Sequence, residues 1–228
     1  MPGRGRPRGF DLDAALDRAV EVFWQRGYEG ASLGELTSAM GINKPSLYAA
    51  FGNKEQLFRR AVTRYAAEDM AYARDALHES SAYQVADALL RGNVEAVTRP
   101  GRPAGCLSLQ GGTSGSADNG DVPAFLAAER LAGEQRLADR FHVAVADEDL
   151  RPDTDPAALA RFVMSVADGH AIRAAAGVLR DELLASVEIA LHAVAHVSLR
   201  PGESRTQPPG PPHGGTGEGR GGLEPMSS

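Results

Sequence analysis

The chain has 228 residues, of which 43% are hydrophobic and 24% charged, and 24 basic against 30 acidic residues give a formal net charge of −6. These proportions are those of an ordinary globular protein, long enough for one or two domains with a sizeable core. They exclude a membrane helix, which needs a run of roughly 20 apolar residues, and the single Cys excludes an intramolecular disulfide. The N-terminus lacks the apolar segment of a secretory signal, so we expect a cytoplasmic protein with no membrane association.

The first two predicted helices have clear start and stop signals. The first begins near Asp11 or Asp13, carries apolar residues at i, i+3 and i+4 spacing, and ends at Gly27. A Ser-x-x-Glu capping box at Ser32 opens the second, which ends at Gly41.

Two more helices follow in the same region. Asn43 is placed to cap the third, with Pro45 in its first turn and Gly52 at its end. Asn53 is placed to cap a fourth, long helix whose apolar residues continue to about His78.

The remainder is also predicted to be helical. Helices are expected at 83–97, 122–147, 157–176 and 180–198, with one or two turns within 105–110. A Gly/Ser/Asp-rich loop at 111–121 and a linker at 151–156 separate them. The segment 200–228 contains eight Gly and six Pro, and we expect it to be disordered because it offers too little apolar surface to offset its ordering entropy.

The second and third helices, joined at Gly41, have the form of a helix-turn-helix. In that unit the second helix lies in the major groove of DNA and reads base edges with its first-turn residues. Lys44, Pro45 and Ser46 occupy that turn; Lys can donate to guanine, and Ser can serve either base type. Residues 1–60 carry nine basic and seven acidic residues, against 15 and 23 in the rest, which is consistent with one end meeting a polyanion. The pattern predicts binding to double-stranded DNA.

A family resemblance is carried by two runs, Phe23–Ser32 (FWQRGYEGAS) and Met40–Phe58 (MGINKPSLYAAFGNKEQLF). Together they closely resemble the TetR/AcrR family of transcriptional regulators over roughly residues 8–62, with the specific signature Leu-Tyr-x-x-Phe-x-x-Lys-Glu-x-Leu. The resemblance implies an all-α fold, with an N-terminal helix-turn-helix DNA-binding domain at 10–55 and a helical ligand-binding and dimerisation domain at 56–199. A flexible basic arm at 1–9 and the disordered tail at 200–228 complete this division.

The resemblance also implies roles for individual residues. By family motif, Lys44, Pro45 and Ser46 fall on base-reading positions, Tyr48 and Lys54 on phosphate-contacting ones, and Ser32 at the start of the first reading-head helix. It further implies a homodimer with a four-helix interface, operator DNA as partner, and an unknown small-molecule effector whose binding tilts the long helix and separates the two heads.

Two departures from the family pattern increase the expected role of the N-terminal arm in DNA binding. Gly34 stands where some members carry a base-reading Arg, and Ala49 and Ala50 replace bulkier residues. We therefore expect few base contacts and a contribution from Arg4, Arg6 and Arg8, which could enter the minor groove or remain a solvated tail.

Candidate effector-binding residues are bulky or titratable side chains in the helical domain. They are Met70, Phe125, Phe141, Met164 and His170, with Tyr72 and His142 as further candidates. Each could equally be an ordinary core residue, and His170 could line a pocket or form a hydrogen bond across a dimer.

Three other residues invite a functional interpretation. Cys106 could sense oxidation, but its apolar neighbours favour a small buried residue. His192 and His196 are spaced to share a metal, yet no third ligand lies near in sequence, and residues at an interface rim are favoured. No metal or other cofactor is therefore expected.

The last two helices carry apolar stripes that we expect to form the dimer seam, with Val187 at its centre. The stripes comprise Leu159, Phe162, Val163 and Val166, then Leu183, Leu184, Val187, Leu191 and Val194.

A DNA-binding regulator, more specifically a repressor, is thus the first hypothesis. The alternative is an all-helical enzyme or small-molecule-binding protein that carries a helix-turn-helix. The sequence contains no Gly-x-Ser-x-Gly, P-loop or His-Glu-x-x-His motif, so no catalytic residue is assigned and a non-enzyme is expected.

Overall fold

The computed structural model describes residues 10–110 and 121–199, which form ten α-helices. The helices are α1 (Leu12–Gly30), α2 (Leu33–Met40), α3 (Lys44–Phe51), α4 (Lys54–Glu68), α5 (Ala71–Ala76), α6 (Ala82–Val97), α7 (Leu107–Gln110), α8 (Val122–Ala146), α9 (Pro156–Ala175) and α10 (Arg180–Val197). Extended pairing in the described residues is limited to one bridge between Leu150 and Ser198. The all-α class is therefore confirmed. The arm at 1–9, the tail at 200–228 and nearly all of the loop at 111–121 lie outside the described residues.

Local capping fixes the ends of the first helices. The Ser32 hydroxyl accepts from the backbone N–H of Glu35, whose carboxylate accepts from the Ser32 N–H, so the predicted capping box is present. Gly41 ends α2 in the left-handed region at φ 67°, and the Asn43 side chain caps α3. Gly27 interrupts α1 at φ 70°, as predicted, although one further turn follows it. These caps set the angle between α2 and α3.

The predicted long helix to His78 is wrong, because the chain breaks at Asp69 and Met70. Met70 has non-helical torsions, and a separate short helix, α5, follows it. Asp69 is only 5% exposed, and its carboxylate pairs with Arg99 at 3.3 Å and Arg102 at 3.4 Å. A buried carboxylate needs such partners, and here they come from the α6–α7 connection.

Aromatic side chains join α1 to α4. The ring centroids of Phe23 and Phe58 lie 5.0 Å apart edge to face, and those of Trp24 and Tyr65 lie 4.8 Å apart. Such pairs stabilise by about 0.5–1.5 kcal/mol beyond the area they bury. The head formed by α1–α3 is thus packed against α4 through α1.

The expectation that Val187 lies in a dimer seam is wrong. Val163, Leu183, Val187, Leu191 and Val194 are all buried inside the chain, because α6 and α9 pack against α10 and cover its apolar stripe. The large apolar side chains that remain exposed on this helix pair and at its turn are Phe162, Ile172, Leu179 and Ile189.

None of the described helices combines the length and the apolar character needed to cross a membrane.

Candidate nucleic-acid interface

Helix α3 has one face in the core and one in solvent. Leu47 and Phe51 are buried in the same core as Leu36 and Met40 of α2, which fixes the orientation of α3. On the opposite side Lys44 and Pro45 are exposed, Tyr48 is 50% exposed, and Ser46 is half-buried. The predicted base-reading side chains and Tyr48 therefore lie on one short, rigid helix.

The electrostatics of this face favour a polyanion. Helix α3 has the sequence KPSLYAAF and contains no acidic residue. Among the described residues Lys44 has no ion-pair partner, so its charge is not neutralised locally. The N-terminal end of a helix adds positive potential, and Lys44 is the first residue of α3.

Lys54 is held at the start of α4 by contacts with α1. Its Nζ donates to the Glu29 carbonyl oxygen at 3.4 Å and lies 4.6 Å from the centroid of the Tyr28 ring. Burial lowers the pKa of Lys54, and the Glu29 carboxylate opposes that shift. The ammonium group is thus positioned beside the N-terminus of α4, where a phosphate would meet both the side chain and the helix end.

Ser32 is exposed at the start of α2, but its hydroxyl is already engaged. It accepts from the Glu35 N–H at 3.1 Å and donates to the Glu35 carboxylate at 3.1 Å. The hydrogen bond from the Ser32 backbone N–H and, to a smaller extent, the one from its hydroxyl lower the pKa of Glu35. Five of the six predicted DNA-contacting residues therefore lie at the N-terminal ends of α2, α3 and α4, and the sixth, Tyr48, lies in the middle of α3.

Ion pairs connect this head to the rest of the chain. Arg102, which precedes α7, lies 3.3 Å from Glu21 of α1 and 3.4 Å from Asp69 at the end of α4. Arg64 of α4 pairs with Asp17 of α1 at 3.0 Å. A movement of the α6–α7 connection would therefore act directly on α1.

The predicted effector-binding residues lie in different surroundings. Phe141 is fully buried, Met70 and Met164 are half-buried, and the half-buried Phe125 ring carries the Arg59 guanidinium at 4.5 Å. His170 lines a depression of about 390 Å³ between α9 and α10, and none of the other four lines it.

His170 is also held by a hydrogen bond. Its Nε2 lies 2.7 Å from the Ser186 hydroxyl, while Nδ1 is buried with no hydrogen-bond partner among the described residues. Burial, with a smaller effect of Arg173, lowers the pKa of His170.

A buried polar cluster in the helical body escaped prediction as a unit. Asn93 Nδ2 donates to the Tyr72 hydroxyl at 3.1 Å, and the thiol of Cys106 interacts electrostatically with Tyr65. Cys106 is buried, as predicted. The detectable signal was Asn93 itself, a polar residue within the apolar stripe of α6 between Leu90 and Val94.

Across the described residues, no group of three or more His, Cys, Asp or Glu side chains is placed to hold a metal ion. His192 and His196 are exposed, and His192 Nδ1 lies 2.8 Å from the Glu188 carbonyl oxygen.

Comparison with known proteins identifies both parts of the chain. Residues 15–61 match the profile of bacterial regulatory proteins of the tetR family, and residues 86–184 match the tetracyclin repressor-like C-terminal domain. The HTH-type transcriptional repressor ComR of Escherichia coli K12 is 35% identical over 183 residues, 79% of this chain and 87% of ComR. BdcR, another HTH-type transcriptional repressor of that organism, is 38% identical over 110 residues, 47% of this chain and 55% of BdcR.

A solved structure agrees in fold along most of the chain. A cysteine-substituted form of the TetR family regulator CifR, complexed with 26-bp double-strand operator DNA, superimposes with a TM-score of 0.80 at 45% identity, covering 83% of this chain and 99% of that one. The chain therefore belongs to the TetR family of DNA-binding transcriptional regulators.

Proposed function

We propose that this protein is a repressor that binds a palindromic operator as a homodimer and leaves it when a small molecule binds the helical domain. The observation that carries this proposal is the exposed, acid-free face of α3, with Lys44, Ser46 and Tyr48 on a helix that cannot turn because Leu47 and Phe51 are buried. Lys44, Pro45 and Ser46 read bases, Tyr48 and Lys54 hold phosphates, and Ser32 meets the DNA at the start of α2. Two of its relatives, ComR and BdcR, are repressors, which supports repression over activation.

The dimer forms, in this proposal, through the outer face of α9 and α10. Phe162, Ile172 and Ile189 expose large apolar side chains there, and an isolated subunit would leave them in water. A symmetric pairing would cover them and would present two copies of α3 in inverted orientation, which is the reason for a palindromic operator.

Selection from random duplex DNA tests the function directly. We expect the purified protein to enrich an inverted repeat, and a reporter gene behind that sequence to be silenced when the protein is expressed. No enriched sequence would contradict DNA-binding regulation, and an enriched single half-site would contradict the dimer. Activation of the reporter would contradict repression.

The predicted alternative of an all-helical enzyme is not favoured by its relatives, which are transcriptional regulators. We propose that the protein is not an enzyme and that it acts in the cytoplasm, where its DNA is. The boundaries at 10–55 for the reading head and 56–199 for the regulatory and dimerisation part belong to the same proposal.

A further inference from the structure

Asn93 is a buried side chain with one polar atom unused. It is only 5% exposed, its Nδ2 donates to Tyr72, and its Oδ1 has no hydrogen-bond partner among the described residues. Leaving a buried carbonyl unpaired costs about 1–3 kcal/mol. Such a cost is accepted where a group outside the protein completes the pairing.

The Tyr72 ring is held against α6 by the absence of a side chain at Gly92. A Cβ at Gly92 would lie 2.7 Å from Tyr72 Cδ2, closer than atoms can approach. Glycine at this position therefore lets the ring lie on the helix, with its hydroxyl at Asn93. Close packing at Gly92 therefore holds the Tyr72–Asn93 pair in position.

Other polar groups border the same place. Cys106 acts electrostatically on both Tyr65 and Tyr72, and the Asp168 carboxylate of α9 acts electrostatically on Tyr72. Burial raises the pKa of Asp168 against the opposing effect of Arg130, and burial raises the pKa of both tyrosines. Residues of α4 and α9 and the residue before α7 thus act on the Tyr72–Asn93 pair, in surroundings that disfavour ionised groups and offer the free acceptor Asn93 Oδ1.

We propose that Tyr65, Tyr72, Asn93, Cys106 and Asp168 form the effector site, and that the effector is a small uncharged molecule whose hydroxyl group donates to Asn93 Oδ1. This inference rests on the proposed function, because it names the ligand class of the same regulator. The unpaired acceptor Asn93 Oδ1 requires a hydrogen-bond donor on the ligand, and the burial of the site disfavours a charged ligand.

The position of the site also explains how binding reaches the DNA-binding head. Tyr65 lies one helical turn before Asp69 on α4, and Cys106 follows Arg102 in the segment before α7. A ligand that separates Tyr65 from Cys106 therefore strains the Asp69–Arg102 pair, which is joined to Glu21 of α1.

The test uses the full-length dimer and matched probes. Phenol, benzyl alcohol, cyclohexanol and 1-hexanol are compared with their methyl ethers, in which the donor is removed and the shape nearly kept. Binding is measured by calorimetry, and release of a fluorescent operator is measured by anisotropy. We expect at least one alcohol to bind about tenfold or more tightly than its ether and to release the operator, because the ether leaves Asn93 Oδ1 unpaired.

Two variants assign the effect to the site. Asn93→Leu should weaken the alcohol about tenfold and abolish the preference over the ether, while the affinity for operator without ligand stays unchanged. Tyr72→Phe should reduce the same preference if Asn93→Leu is unstable. Gln84→Leu, an exposed polar residue on the same helix, is the matched control and should behave as wild type.

Equal binding of alcohols and ethers, absence of binding by every alcohol, or an unchanged preference in both variants would overturn the site. Failure of the wild-type protein to bind the operator would instead contradict the proposed function, so the two failures are distinguishable.

Discussion

Two surfaces of this molecule lie at opposite extremes of chemistry. Helix α3 buries Leu47 and Phe51 and presents Lys44, Ser46 and Tyr48 to solvent, with no acidic residue along its length. Helices α9 and α10 bury Val163 and Val187 in the core of the subunit. Their outer face presents large apolar side chains to solvent, with Ile189 73% exposed.

The difference indicates which partner each surface takes. A narrow polar face with an uncompensated cation suits the phosphates and base edges of DNA, where charge dominates affinity and responds to salt. An exposed apolar face on two neighbouring helices suits a second copy of the same face, where the gain comes from area removed from water. The predictions below alter one surface at a time.

The largest expected effect comes from Ile189→Glu, which places a charge on the apolar face. The variant should be monomeric in sedimentation at micromolar concentration. Its operator affinity should fall on the order of 10²-fold or more, because the two heads would bind independently. Each subunit should remain folded, since Ile189 is exposed.

Two other substitutions act as controls for Ile189→Glu. Leu131→Glu introduces the same charge at a 65% exposed position on α8 and should remain dimeric. Val187→Glu places the charge inside the subunit core and should lower the free energy of unfolding rather than dissociate a folded dimer. A monomeric wild-type protein, or a dimeric Ile189→Glu variant, would show that the interface lies elsewhere.

Lys54→Met tests the phosphate contact at the start of α4. Methionine keeps an apolar side chain of similar length and removes the ammonium group that lies over the Tyr28 ring. Binding to operator and to scrambled DNA should weaken alike, and the slope of log affinity against log salt should decrease by about one per subunit. A loss confined to the operator sequence would make Lys54 a specificity determinant instead.

The smallest effect concerns His170 and pH. Burial lowers the pKa of His170 in the folded chain, whereas the unfolded chain titrates near its usual value of about 6.5. Below about pH 6.5 the His170 imidazole is protonated in the unfolded chain and less so in the folded chain. The free energy of unfolding should therefore decrease as pH falls from about 7 to about 5.

His170→Gln should flatten this decline, measured by thermal unfolding at fixed protein concentration. Arg173 and Glu182 line the same depression and are unchanged in this variant. A wild-type profile that is flat below pH 7 would contradict the assignment.

The head could be predicted because its signals are local. The Ser32 capping box, the Gly41 turn and the Asn43 cap each involve residues within three or four positions, so sequence spacing determines the geometry. The predicted base-reading residues then follow from their place in the first turn of α3.

The helical body was predicted only in outline, because its decisive contacts are distant in sequence. The break at Asp69 depends on Arg99 and Arg102, and the burial of Val187 depends on α6. Periodicity shows that a face is apolar, but it cannot show which element covers it. The Tyr72–Asn93 pair likewise joins α5 to α6 and became evident only in the fold.

The central claim, that the first turn of α3 reads bases while Tyr48 and Lys54 hold phosphates, is tested most directly with Lys44→Ala. Its affinity for the selected operator and for scrambled DNA is compared with wild type at several salt concentrations. We predict a loss of about 1–3 kcal/mol per half-site on the operator, with relaxed preference at one base pair and little change on scrambled DNA. Equal losses on both DNAs with the base preference intact would make Lys44 a phosphate contact and contradict the account.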